Sequence, residues 1–191
     1  MARLILASGS ARRAELLKQL GLSFEQLSPD IDETQKVAES APDYVARLAK
    51  EKANTVLNDH LDATVIAADT CIFIDGQILG KPQSKQHAFT MWQQLSGRTH
   101  HVFTGVCVVN KEYQEYCVVE TQVKFQQLSP NDMEYYWATE EPLGKAGGYA
   151  IQGIAACYIP EIKGSYTNVV GLPLHETVML LKACLPQKEF L

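Results

Sequence analysis

Residues 65–74 read Val-Ile-Ala-Ala-Asp-Thr-Cys-Ile-Phe-Ile, an apolar run interrupted only by Asp69-Thr70. Its length and β-branched content predict a long strand in an apolar interior. Asp75-Gly76 then gives a two-residue hairpin signal, with the chain returning through Gln77-Ile78-Leu79. Ahead of this hairpin, Leu4–Ala7 reads as a short strand and residues 11–20 as a helix stopped by Gly21. Phe24–Leu27 reads as a second short strand, and residues 28–39, polar and acidic, as a loop. Ser40, Pro42 and Asp43 mark the start of a helix. Its apolar positions Val45, Leu48, Ala49, Ala53, Val56 and Leu57 recur at helical spacing.

Beyond the hairpin, residues 84–95 read as a helix ended by Ser96-Gly97, and 99–109 with 116–125 as an antiparallel pair of strands. Ser129-Pro130 and Asp132 open a helix to about Ala138. A glycine-rich stretch from Gly144 to Gly153 follows, then expected strands near 157–162 and 167–170, and a last helix from Pro173 to about Cys184. Strands and helices alternate at first and strands cluster later. That pattern predicts an α/β fold with a mixed, partly antiparallel sheet and helices on its faces. With 191 residues and neither repeat nor linker, one domain over 1–191 is expected.

The net charge of −5 disfavours a broad nucleic-acid footprint but permits a small anionic ligand where cations cluster locally. The five cysteines are scattered, odd in number and without a C-x-x-C pair, so they read as reduced, buried small hydrophobes. His100 and His101 are adjacent and in a strand would point to opposite faces, a poor metal pair. No apolar stretch approaches the ~20 residues that span a bilayer, and the amino terminus lacks a long apolar h-region. The cytoplasm is the expected location, with no membrane partner.

Four sets of charges stand where a folded core would resist them. Arg12 and Arg13 fall in the first turn of a helix whose positive dipole end they oppose; a bound phosphate would reverse that conflict, and solvation at a frayed helix start would also accommodate them. Lys52 lies seven positions after Val45 on the buried stripe, where it must snorkel or pair with an anion. Asp69 breaks the apolar strand, and a carboxylate there suits a strand end where a site opens, to bind Mg²⁺ or activate water, or else caps backbone. Continued hairpin pairing would set Thr70 opposite Lys81 and return Gly80-Lys81-Pro82 to the neighbourhood of Asp69. Arg12, Arg13, Lys52 and Lys81 can thus form a cationic pocket, with Asp69 and an acidic residue such as Glu33 as its metal pole. No G-x-x-x-x-G-K-[ST] and no G-x-S-x-G occurs, which disfavours a P-loop NTPase and a serine hydrolase.

Taken together these segments resemble the Maf family of nucleotide pyrophosphatases. The matching stretches are Leu6 to Arg13, Glu33, Lys50-Glu51-Lys52-Ala53, Ala68-Asp69-Thr70, Gly80-Lys81-Pro82, Leu95-Ser96-Gly97, Gly148 to Gly153 and Ser165 to Pro173. They cover nearly the whole chain in family order. Ala11 departs from the family's usual proline, which should loosen the helix start slightly without removing chemistry.

The resemblance implies two lobes around a cleft, in a fold related to inosine triphosphate pyrophosphatases, and usually a homodimer. It implies water attack on the α-phosphorus of a nucleoside triphosphate, with pyrophosphate leaving and a divalent cation, Mg²⁺ or Mn²⁺, as cofactor. Carried over by position, Asp69 becomes the proton acceptor and Glu33 its metal or water partner. Ser8, Ser10, Arg13, Lys52 and Lys81 become phosphate ligands, and Arg12, Thr70 and Gln152 are associated with base choice. That combination resembles the dTTP/UTP group, and the Gln152 amide complements the N3–H and a carbonyl of uracil or thymine. C5-modified uridine nucleotides fit the same edge. The implied role is nucleotide-pool cleaning, with a link to division arrest on overproduction. The alternatives are the same hydrolysis on a modified purine nucleotide, and a non-catalytic nucleotide-binding regulator of septum formation.

Overall fold

The computed structural model describes residues 3–185, so the ends of the domain expected over 1–191 lie outside the described residues. The chain runs β1 (Arg3–Ala7), α1 (Ala11–Lys18), β2 (Glu25–Leu27), α2 (Ala41–Asp59), β3 (Ala63–Ile74), β4 (Gln77–Leu79) and α3 (Lys85–Leu95). It continues through β5 (Thr99–Val109), β6 (Gln114–Lys124), α4 (Pro130–Ala138), β7 (Glu161–Lys163), α5 (Tyr166–Val170) and α6 (Leu174–Cys184), with short 3-10 turns at Ala146–Gly148 and Ile154–Tyr158. Serine caps set the helix starts: Ser40, Ser84 and Ser129 each accept the N–H three residues on. Of these three, Ser129 alone completes a capping box, its own N–H donating back to the Asp132 carboxylate.

The strands are ordered β2-β1-β3-β5-β6-β7, with β4 paired to β3. β1 runs parallel to β2 and β3, whereas β3–β4 and β6–β7 are antiparallel, so the sheet is mixed as the sequence predicts. Asp75 and Gly76 both hold positive φ, 52° and 78°, as a two-residue hairpin turn requires.

Two compact units arise, one from Met1–Asp69, Thr104–Val119 and Gly171–Leu191, the other from Thr70–Phe103 and Glu120–Val170. In the first unit, Ala49, Ala53, Val56 and Leu57 of α2 pack on Ile5, Ala7, Val65, Ala67, Cys107 and Val109 of the strands. The larger buried side chains there, such as Ile5 and Val65, contribute roughly 1.5–3 kcal/mol each. The helix start lies so close to β5 that a Cβ on Gly105 would meet the backbone of Val45 and Ala46. Gly105→Ala is therefore expected to lower stability by about 1–3 kcal/mol, read as a shifted urea midpoint. An unchanged midpoint would show that α2 can move off the strand at no cost.

In the second unit Trp92 of α3 is fully buried among Ile72, Leu79, Met133, Tyr136, Tyr149 and Tyr158. Of the two strands expected here, the one near 157–162 is shortened to β7, which starts only at Glu161, and the one over 167–170 is absent. Residues 154–158 form a 3-10 turn that leaves Cys157 exposed, so this cysteine is not the buried hydrophobe expected of it; Cys71 and Cys107 are. Residues 166–170 form α5 despite their β-branched composition. Polar anchoring overrides propensity there: Asn168 is buried and donates to Val102 O and Thr121 Oγ1, and the Asn168 N–H donates to Ser165 Oγ. His100 and His101 do face opposite ways, His100 fully buried against Tyr149 and His101 half-buried beside Glu120.

Candidate functional site

β1 ends at Ala7 and the chain turns through Ser8-Gly9-Ser10 into α1. Ser8 is buried, and its Oγ accepts from the Ser10 N–H and from Arg13 Nη1, each at 3.2 Å. Arg13 Nε donates to Gly171 O at 2.7 Å, so the guanidinium is pinned between the turn after β1 and the residue after α5. Ser10 caps α1 weakly, with Oγ 3.5 Å from the Arg13 N–H, and no acidic residue occupies the first turn. The helix dipole is thus left open to an anion. Burial pushes the Arg13 guanidinium below its ordinary pKa. Asp69 and Glu33 oppose that shift, and Arg12, half-buried beside it, adds to it.

Lys52 sits on the inner face of α2, buried as its register predicts. Its ammonium lies 2.6 Å from Asp69 Oδ1 and 2.6 Å from Glu33 Oε1, so two carboxylates from distant segments converge on one point. Asp69 does not end its strand as expected. It lies inside β3, 7% exposed, and the Lys52 charge compensates a carboxylate that the apolar strand would otherwise reject. Burial pushes the Asp69 carboxyl above its ordinary value, against the pull of Lys52 and Arg13 and with a small push from Glu33. A base in this setting binds a proton more firmly than a free aspartate does.

Sequence reasoning missed what holds Glu33. The loop that carries it is strapped to α2 by Tyr44, which donates to Glu33 O at 3.0 Å. Arg47 completes the strap, donating to Thr34 O and, through two nitrogens, to Glu39. That fork holds the Glu39 carboxyl down to about 2. No local pattern announces these pairs.

Within this unit the structure gathers Ser8, Ser10, Arg12, Arg13, Glu33, Lys52 and Asp69. Three cations stand against two carboxylates, a balance that favours an anion. Among the described residues no three of His, Cys, Asp or Glu cluster as a metal cage. Two converging hard oxygens nonetheless suit a cation such as Mg²⁺, which takes one or two carboxylates and completes its shell with water and substrate phosphate.

Thr70, Lys81 and Gln152 belong to the other unit. Thr70 is half-buried; Lys81 and Gln152 are exposed. The hairpin pairs Ile74 with Gln77 and Ile72 with Leu79 as expected, but the ladder ends there and never sets Lys81 opposite Thr70. Gly80 O instead accepts the Gly147 N–H, and Pro82 follows with no N–H to pair. Gln152 projects from a tight turn over residues 151–153.

The family model described as Maf-like protein matches residues 3–184, and the chain belongs to that family. The dTTP/UTP pyrophosphatase of Acinetobacter baylyi is 62% identical over 177 residues, spanning 93% of this chain and 97% of that protein. The dTTP/UTP pyrophosphatase of Escherichia coli is 47% identical over 95% of this chain and 92% of its own length. That of Shewanella denitrificans is 48% identical, with 98% of each chain covered.

Proposed function

We propose that this chain hydrolyses dTTP and UTP to the nucleoside monophosphate and pyrophosphate. The observation that carries the proposal is the meeting of Lys52, Asp69 and Glu33 beside Arg13 at the open start of α1. The names carried by relatives at 47–62% identity supply the substrate. Ser8, Ser10, Arg13 and Lys52 take phosphate oxygens. Asp69 accepts the proton of a water whose oxygen bonds to the α-phosphorus. The bond from that phosphorus to the bridging oxygen breaks, and pyrophosphate leaves with the electron pair. Glu33 and Asp69 would hold a divalent cation, Mg²⁺ or Mn²⁺, which when bound neutralises phosphate charge and lowers the pKa of water. Fixed cations leave little charge to rearrange during attack, the economical way to speed phosphoryl chemistry.

Thr70 and Gln152 select the base. The Gln152 amide offers one donor and one acceptor, which match N3–H and a carbonyl of thymine or uracil; held in that orientation it pairs less well with cytosine, which lacks N3–H. Since thymine and uracil differ only at C5, both are substrates, as are C5-modified uridine nucleotides. The chain acts as a homodimer in the cytoplasm, clearing the nucleotide pool, with a link to division arrest on overproduction. No helix among the described residues is long and apolar enough to cross a membrane.

The test is a hydrolysis screen over dTTP, UTP, dCTP, ATP and modified purine triphosphates, with Mg²⁺, Mn²⁺ or chelator. We expect pyrophosphate from dTTP and UTP, metal dependence, and dCTP turned over on the order of a hundredfold less efficiently. Release of inorganic phosphate in place of pyrophosphate would exclude attack at the α-phosphorus. Preference for a modified purine would reassign the substrate.

A further inference from the structure

The 3-10 turn that follows Gln152 begins at Ile154, and Gly153 before it has no side chain with which to cap the first amides. Glu141 does so from a distance. Its Oε2 accepts the Ile154 N–H at 2.8 Å and its Oε1 the Ala155 N–H at 3.3 Å. The Tyr136 hydroxyl donates to Glu141 Oε1 at 2.6 Å and accepts the Ala150 N–H at 3.1 Å. One hydroxyl and one carboxylate thus fasten the backbone on both flanks of Ile151-Gln152-Gly153.

Both anchors are themselves fixed. Tyr136 is buried, its ring packed between Trp92 at 5.2 Å and Tyr158 at 5.9 Å between centroids. Trp92 Nε1 in turn donates to Gly148 O, three residues ahead of Ile151. A Cβ at Gly153 would collide with the Glu141 carboxylate, so the glycine is there to let Glu141 reach the amides. Between these anchors Ile151 points inward and Gln152 outward. An amide that reads a base edge must hold its donor and acceptor within a fraction of an ångström of the partner atoms.

We propose that Glu141, seated by Tyr136, is a positioning residue for base recognition, holding the turn from which Gln152 reads the pyrimidine. This rests on the assignment of Gln152 as the base-reading side chain. The measurement is the ratio of kcat/KM for dTTP over dCTP in wild type, Gln152→Ala, Glu141→Ala, Glu141→Gln and Tyr136→Phe. Amide hydrogen exchange at Ile154 and a thermal melt accompany each.

Gln152→Ala should collapse the ratio. Glu141→Ala should lower it roughly tenfold, mostly through KM for dTTP, with Ile154 protection lost, as expected for removing a hydrogen bond to a charged acceptor. Glu141→Gln keeps one acceptor oxygen and should recover part of the ratio. Tyr136→Phe keeps the ring and should act in the same direction; combined with Glu141→Ala it should add little. If Glu141→Ala does not fold, Tyr136→Phe and Glu141→Gln carry the same comparison.

An equal loss for dTTP and dCTP would make Glu141 merely structural and overturn the proposal. So would an intact ratio in Glu141→Ala beside a collapsed one in Gln152→Ala. An unchanged ratio in Gln152→Ala refutes the base-reading assignment and withdraws the inference with it, and that failure is visible in the Gln152 arm alone.

Discussion

Asp69→Asn should lower the turnover of dTTP between a hundredfold and about ten-thousandfold while triphosphate binding stays within roughly threefold of wild type. The substitution is isosteric, and the Asn oxygen can still accept from Lys52, which lies 2.6 Å from Asp69 Oδ1. What is lost is the capacity to take a proton. Binding should survive because the change removes negative charge from a site that must accept a polyanion, while Lys52 keeps its charge and Glu33 its carboxylate for the cation.

The pH dependence sharpens this test. Asp69 works as a base only when ionised, and burial has pushed its carboxyl above the ordinary 3.8. The acid limb of kcat/KM should therefore lie at higher pH than for a free aspartate, and should vanish from whatever activity the variant retains. Single-turnover hydrolysis and equilibrium binding of a non-hydrolysable triphosphate separate the two effects. Hydrolysis within tenfold of wild type would remove Asp69 as the proton acceptor. Loss of binding with intact single-turnover chemistry would make it a ligand instead.

How far the sequence led depended on whether a residue's constraint was local. Ser40, Ser84 and Ser129 cap helices through bonds three residues long, and a reader of the chain sees both ends of each bond. The Asp75-Gly76 turn is likewise fixed by its own two φ angles. Lys52 and Asp69 were legible for a related reason: each breaks an apolar pattern, and a broken pattern marks a compensated charge even when its partner is unknown.

The partners themselves were not legible. Arg13 anchors on Gly171 O, 158 positions away, and Glu33 is delivered by Tyr44 and Arg47, whose bonds follow no spacing rule. The same non-locality explains the errors. Residues 167–170 have strand-like composition, yet the bonds of Asn168 to Val102 and Thr121 impose a helical turn. Asp69 was expected at a strand end because strands reject aspartate. Lys52, arriving from another element, removed the reason for that rule to hold.

Removing that compensation should have a large effect on stability. Lys52→Met keeps the length of the side chain and deletes the ammonium shared by Asp69 and Glu33. Glu33, with 44% of its side chain exposed, can turn to water; Asp69, at 10%, cannot. Breaking a buried pair from one side costs about 3–5 kcal/mol when the remaining charge stays ionised. Protonation relieves part of this cost, so the loss should depend on pH with a definite sign. Asp69 already titrates above its ordinary value in the folded protein, and without Lys52, which pulls it down, its pKa must rise further. Between the unfolded and folded values the native state binds more protons than the unfolded chain, so stability falls as pH increases. The deficit of Lys52→Met against wild type should thus be small near the unfolded aspartate pKa and grow as pH rises through the elevated folded value. Urea unfolding without nucleotide at pH 5 and pH 8 reads it directly. A deficit that is constant with pH, or that widens toward acid, would mean that Asp69 is not the charge Lys52 keeps in the interior.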